Sequence, residues 1–141
     1  MNNNEPISGF ASTGLAPALC QILEGAGITE PTPIQSAAIP ALLAGKDIIG
    51  VAQTGTGKTL AFALPLITKL RTSGGKAVIL APTRELALQI EESIRRITSR
   101  IKPPMSTAVL IGGMSMYAQV QAMSRRPSIV IATPGRVEDH M

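Results

Sequence analysis

The stretch Ile48-Ile49-Gly50-Val51-Ala52-Gln53-Thr54-Gly55-Thr56-Gly57-Lys58-Thr59 constrains this chain more than any other. A short apolar run, which reads as a buried strand over Ile48 to Ala52, gives way to a glycine-broken loop. The loop leads straight into a helix-patterned segment from Lys58 to about Leu70. Glycines let a backbone curl so that successive N–H groups point inward, and the start of the next helix adds the positive end of its dipole. Such a loop surrounds an anion, above all the phosphates of a nucleoside triphosphate. The Lys58 ammonium can reach the outer phosphates and the Thr59 hydroxyl can ligate magnesium, which makes these two the candidate catalytic side chains. Gln53, Thr54, Gly55, Thr56 and Gly57 supply the cradle. One position departs from the general G-x-x-x-x-G-K-T pattern, because Ala52 stands where the first glycine is expected. By itself the loop specifies a nucleotide with magnesium, not a reaction.

The rest of the chain supplies the sheet that such a loop requires. Leu15, Leu19, Ile22 and Leu23 fall at helical spacing, with Pro17 in the first turn and Gly25 and Gly27 as stop signals. Thr32-Pro33 opens a second helix that ends near Gly45. The helix from Lys58 carries Pro65, which predicts a bend. Ala77 to Leu80, Ala108 to Ile111 and Ile129 to Ile131 read as further buried strands. Helices over Arg84 to about Ser99 and around Met114 to Met123 separate them, the first with Leu86, Ile90, Ile94 and Ile97 on one face. Continuous apolar strands alternating with helices predict a doubly wound α/β architecture, a parallel sheet with ligands at the carboxyl ends of its strands. The 141 residues read as one domain, with 45% hydrophobic and 2% aromatic residues, so its core must be aliphatic.

Charge is uneven. Residues 1–70 carry a balance of −1 and residues 71–141 a balance of +5. A basic half suits a polyanionic partner, and solvated helix faces account for it as well. The single cysteine, Cys20, excludes an internal disulfide and has no histidine near it in sequence. No run approaches a membrane span and the start carries no signal-peptide pattern, so the expectation is a cytoplasmic protein without a membrane partner.

Four further segments, taken with the loop, resemble the DEAD-box RNA helicases. Gly27-Ile28-Thr29-Glu30-Pro31-Thr32-Pro33-Ile34-Gln35 is similar to the family's Q motif (residues 27–35), and Phe10 lies upstream where the family has an isolated aromatic. Residues 52–59 match A-x-T-G-x-G-K-T, which accounts for Ala52. Pro82-Thr83-Arg84-Glu85-Leu86-Ala87 matches motif Ia (82–87), Gly112-Gly113 a glycine doublet, and Thr133-Pro134-Gly135-Arg136 motif Ib (133–136). The resemblance runs from Phe10 to the last residue.

That resemblance implies a RecA-like domain and an ATP-dependent RNA helicase that separates short duplexes. Thr32 and Gln35 would join the loop in binding ATP with magnesium. The Gln35 amide would read the adenine edge, and Phe10 would stack on the base. Without the family pattern, Gln35 reads equally as a helix-surface residue and Phe10 as a small-core aromatic. Thr83, Arg84, Gly113, Thr133 and Arg136 would line an RNA face made of sugar–phosphate contacts, with little base specificity. Thr83 also reads as a helix cap and Arg136 as a surface ion-pair partner.

The family's D-E-A-D and S-A-T motifs do not occur, and the only aspartates are Asp47 and Asp139. The chain therefore reads as an incomplete first RecA-like domain, partnered in its parent by a second one that supplies an arginine to the phosphoryl group. Residues 1–141 alone are expected to lack RNA-stimulated ATPase. A natural non-catalytic nucleotide- or RNA-binding module, and another P-loop enzyme such as a DNA helicase, are the alternative readings.

Overall fold

The computed structural model describes residues 9–139 apart from Thr54 and Thr56, and only the backbone of residues 137–139. The chain forms two compact units, Met1–Lys69 and Leu70–Met141. Because Leu70 is uncharged, this division is also the division of charge found in the sequence.

The first unit is helical. A 3-10 turn, Gly9–Thr13, precedes α1 (Pro17–Gly25) and α2 (Pro33–Leu43); α3 (Lys58–Ser73) begins here and ends in the second unit. Pro17 and Pro33 sit at the starts of their helices, where a missing N–H costs nothing and a fixed φ is already helical. The α3 helix continues through Pro65 as one helix. The core of the unit is mainly aliphatic, with Leu19, Leu23, Ile39, Leu64 and Ile67 fully enclosed.

The buried strand expected over Ile48 to Ala52 is not formed. The segment is irregular, and Ile49 and Val51 are 96% and 89% exposed. Its composition suits a parallel strand, but such a strand exists only through ladder bonds to neighbours, and every described strand lies in the second unit.

The second unit contains β1 (Ala77–Leu80), α4 (Arg84–Thr98), β2 (Thr107–Leu110), α5 (Met116–Ser124), β3 (Ile129–Ala132) and α6 (Pro134–Asp139). The strands are all parallel in the order β1-β3-β2. Ala77, Ile129 and Thr107 are level with one another, as are Leu80, Ala132 and Leu110. Side chains alternate between faces, so Thr107, Ile129 and Ile131 share one face while Leu110, Val130 and Ala132 share the other. The α4 helix covers the first face, where the Thr107 hydroxyl donates to Glu91 Oε1 at 3.1 Å. The second face packs against Met123 of α5. Helices on both faces make this a doubly wound sheet, as expected. On α4, however, Leu86 is 38% exposed rather than buried; Ala87 takes the inward position beside Ile90, Ile94 and Ile97. Among the described residues no helix is long and apolar enough to cross a membrane.

Candidate functional site

In the first unit the Q-motif segment and the glycine loop meet. Gln35 is the third residue of α2 and is 3% exposed. Its Oε1 accepts the Thr32 N–H at 2.9 Å, which caps the start of the helix. Its Nε2 donates to the Gly57 carbonyl at 3.0 Å. One side chain therefore closes a helix terminus and anchors the loop. Gly57 has φ +84°, and a Cβ there would fall on the Gln35 amide nitrogen and lie 3.2 Å from Thr32 Oγ1. That hydroxyl is itself buried and makes no hydrogen bond.

Gly55 also has φ +84°, with open space where a Cβ would go. Both glycines sit in the left-handed region that other residues avoid. Lys58 opens α3, and its ammonium donates to the Ala52 carbonyl at 2.8 Å in an exposed position. The cation thus closes the loop onto its own first residue. Thr59, half-buried, follows in the first turn of the helix. Gln53 lies exposed at the head of the loop, and Thr54 and Thr56 lie outside the described residues. A hollow of 300 Å³ adjoins the loop, lined by Ile34, Ile48, Ala61, Phe62 and Lys58.

Phe10, in the 3-10 turn, is 3% exposed. Cys20 is inert: burial pushes its thiol up from the ordinary range, away from the reactive thiolate.

In the second unit, motif Ia, the glycine doublet and motif Ib each follow a strand. Thr83 precedes α4, and its hydroxyl accepts the Leu86 N–H at 3.1 Å, the expected cap. Arg84 lies over Gly113. With φ +83°, Gly113 comes so close that a Cβ would be 2.6 Å from Arg84 Nη1 and 2.8 Å from Cζ. Arg136 reaches the same loop from the start of α6. Its Nη2 donates to the Met114 carbonyl at 3.1 Å and its Nε to Gln119 Oε1 at 3.0 Å. Thr133, half-buried, is held by its N–H to the Leu110 carbonyl at 3.1 Å. Two arginines from motifs far apart in sequence thus converge on the loop after β2. Among the partners of Arg136 are an amide and a carbonyl of this loop and helix.

Gln119 is the residue that sequence reasoning missed. It is 1% exposed on α5, and its Nε2 donates to the Ile111 carbonyl at 2.6 Å. A glutamine between apolar residues carries no signal of this in a single sequence. Gln119→Leu should cost about 1–3 kcal/mol, because the Ile111 carbonyl loses a partner in a buried position and the Arg136 Nε loses one in a half-buried position. Urea unfolding measures it, and an unchanged midpoint would show that the amide holds nothing.

A family model described as DEAD/DEAH box helicase matches residues 32–141. The ATP-dependent rRNA helicase rrp3 of Schizosaccharomyces pombe is 46% identical over 141 residues, covering 99% of this chain and 30% of that protein. The ATP-dependent rRNA helicase RRP3 of Candida glabrata is 48% identical over 134 residues, covering 94% and 27%. The chain thus spans less than a third of these curated relatives. Among solved structures, the RNA helicase Prp28 from Chaetomium thermophilum bound to ADP superposes with a TM-score of 0.84 at 41% identity, over 99% of this chain and 35% of that one. The DEAD-box helicase Mss116 bound to ssRNA and UDP-BeF gives 0.84 at 35% identity, over 96% and 30%. The sheet and its helices are those of a RecA-like domain, and the chain belongs to the DEAD/DEAH box helicase family.

Proposed function

We propose that this chain is the ATP-binding and RNA-binding part of an ATP-dependent RNA helicase. The observation that carries the reading is the union of Gln35, Gly57 and Lys58, because it joins a base-reading amide to a phosphate-binding loop through one hydrogen bond. A glutamine amide has two donor and two acceptor positions. Gln35 commits one of each to Gly57 and Thr32. One N–H and one lone pair are left, a donor and an acceptor of the kind that the N7 and N6 positions of adenine require. Guanine offers an acceptor where adenine has a donor, so the same pair disfavours it.

Lys58 acts on the phosphates. Its bond to the Ala52 carbonyl is exchanged for bonds to the outer phosphate oxygens when nucleotide enters, while Gly55 and Gly57 hold the backbone curled around them. Thr59 provides one oxygen from the first turn of α3. A single hydroxyl suits magnesium, which keeps several waters and takes its remaining ligands from phosphates. When bound, the metal neutralises phosphate charge. In the second unit, Arg84 and Arg136 donate to RNA phosphates, and Gly113 keeps the surface between them free of a side chain. Thr83 and Thr133 add hydroxyls at the ends of β1 and β3. These contacts track the sugar–phosphate backbone and carry little base preference.

Gln35→Ala should weaken ATP binding and narrow the preference for ATP over GTP by roughly tenfold, the worth of one lost two-point contact. Competition binding with the two nucleotides reads it. Unchanged selectivity would remove the adenine-reading role from Gln35.

A further inference from the structure

The three strands start level, at Ala77, Thr107 and Ile129. The connections that precede them, counted with the last helical residues of α3 and α5, are residues 71–76, 99–106 and 124–128, and they therefore meet at one end of the sheet. Backbone bonds join them there, with the Ala77 N–H donating to the Ser128 carbonyl at 2.9 Å and the Ser128 N–H to the Ser106 carbonyl at 3.0 Å. A groove of 430 Å³ runs between the connections, lined in part by Arg71, Gly74, Gly75, Lys102 and Pro103.

This end is cationic. The three connections contribute Arg71, Lys76, Arg100, Lys102, Arg125 and Arg126, all exposed, and contain no carboxylate. Helices that return between parallel strands bring their carboxyl ends to the same place. Arg95 and Arg96 in the last turn of α4 thus extend the patch, with Arg95 paired to Glu91 at 3.6 Å. The motif residues Arg84, Gly113 and Arg136 follow the strands at the opposite end. Four-residue strands separate the two ends by roughly 13 Å. That exceeds the screening length of about 8 Å at physiological ionic strength, so each end is its own electrostatic site.

The surface chemistry selects the partner. A protein interface needs a desolvated centre of aromatic or aliphatic anchors. None of the exposed large hydrophobics of the described residues falls in these three connections. Cations around a glycine-floored groove are what a polyphosphate backbone requires.

We propose that this amino end of the sheet is a second docking surface for the sugar–phosphate backbone of RNA, separate from the motif residues. It rests on the RNA reading given above, and it holds a strand or flanking duplex to the domain without contacting the nucleotide loop.

The test is binding of a fluorescein-labelled oligouridylate to the full chain across a potassium chloride series. Arg71→Glu/Lys102→Glu should weaken binding about tenfold at low salt and lower the log–log salt slope by about 1.4, two single-strand phosphate contacts. Arg84→Ala, at the other end, should lower the slope by about 0.7, and the two losses should add. A control, Lys46→Glu/Ala18→Glu/Gln21→Glu, changes net charge by the same amount in exposed positions of the first unit and should have little effect. Circular dichroism confirms that each variant is folded. A wild-type slope in Arg71→Glu/Lys102→Glu, or an equal loss in the control, overturns the proposal. So does competition by polyglutamate of equal charge at or below the concentration of unlabelled RNA, which would make this a site for acidic protein. Failure of the unsubstituted chain to bind the oligouridylate would instead remove the RNA reading itself.

Discussion

Lys58→Ala is expected to abolish ATP turnover in a protein that carries both RecA-like domains, and to weaken nucleotide binding by this chain. The lysine is exposed and donates to the Ala52 carbonyl. Removing it leaves no buried group unpaired, so the thermal midpoint should scarcely move. Its worth lies in the bound state. A hydrogen bond to a charged group is worth about 1.5–3 kcal/mol, so affinity should drop by roughly 10- to 150-fold. Turnover should fall further, because charge concentrates on the outer phosphate in the transition state. Phosphate release and fluorescent-nucleotide titration separate the two effects. Turnover near the unsubstituted rate would end the phosphate-loop assignment.

Gly57→Ala should be far more damaging than Gly55→Ala, although both glycines have the same φ of +84°. The left-handed backbone costs about 1–2 kcal/mol at either position. At Gly55 that is the whole cost, since a methyl would point into open space. At Gly57 the methyl would land on the Gln35 amide. The side chain would have to leave, and the bonds to the Gly57 carbonyl and the Thr32 N–H would be lost with it. With those bonds at about 1 kcal/mol each, ATP affinity should fall by a hundredfold or more at Gly57 and by tenfold or so at Gly55. Equal losses in the two variants would mean that Gln35 does not govern the loop.

Much of this was legible in the sequence, and the misses have physical causes. The helix starts at Pro17, Pro33 and Arg84 were readable because caps and prolines act locally. The strands Ala77–Leu80, Thr107–Leu110 and Ile129–Ala132 were readable within a residue from their apolar runs, but the burial expected of the first was not borne out, since Val78 and Leu80 are 62% and 58% exposed. Ile48 to Ala52 has the same composition, but composition reports only willingness to pair, and pairing is a property of neighbours. Leu86 and Ala87 exchanged places because helical periodicity leaves a face uncertain by one residue. The burial of Phe10 was not legible, because a motif fixes identity while burial depends on what packs around it. For Gln35, a cap and a loop anchor in one side chain follow from the Thr32 to Gln35 spacing only once Gly57 is seen beside it. The convergence of Arg84 and Arg136 on one loop needed coordinates, because the sequence places them in motifs Ia and Ib with a strand and a helix between.

The strand order has a consequence for how such a chain comes into being. β1 and β2 do not touch; among the described residues each pairs only with β3, the last of the three in sequence. During synthesis, the first two strands emerge with no ladder to join, and their backbone groups must stay wet or find transient partners until Ile129–Ala132 follows. The ladder that links these two strands thus waits for the tetrapeptide Ile129–Ala132 to come between them.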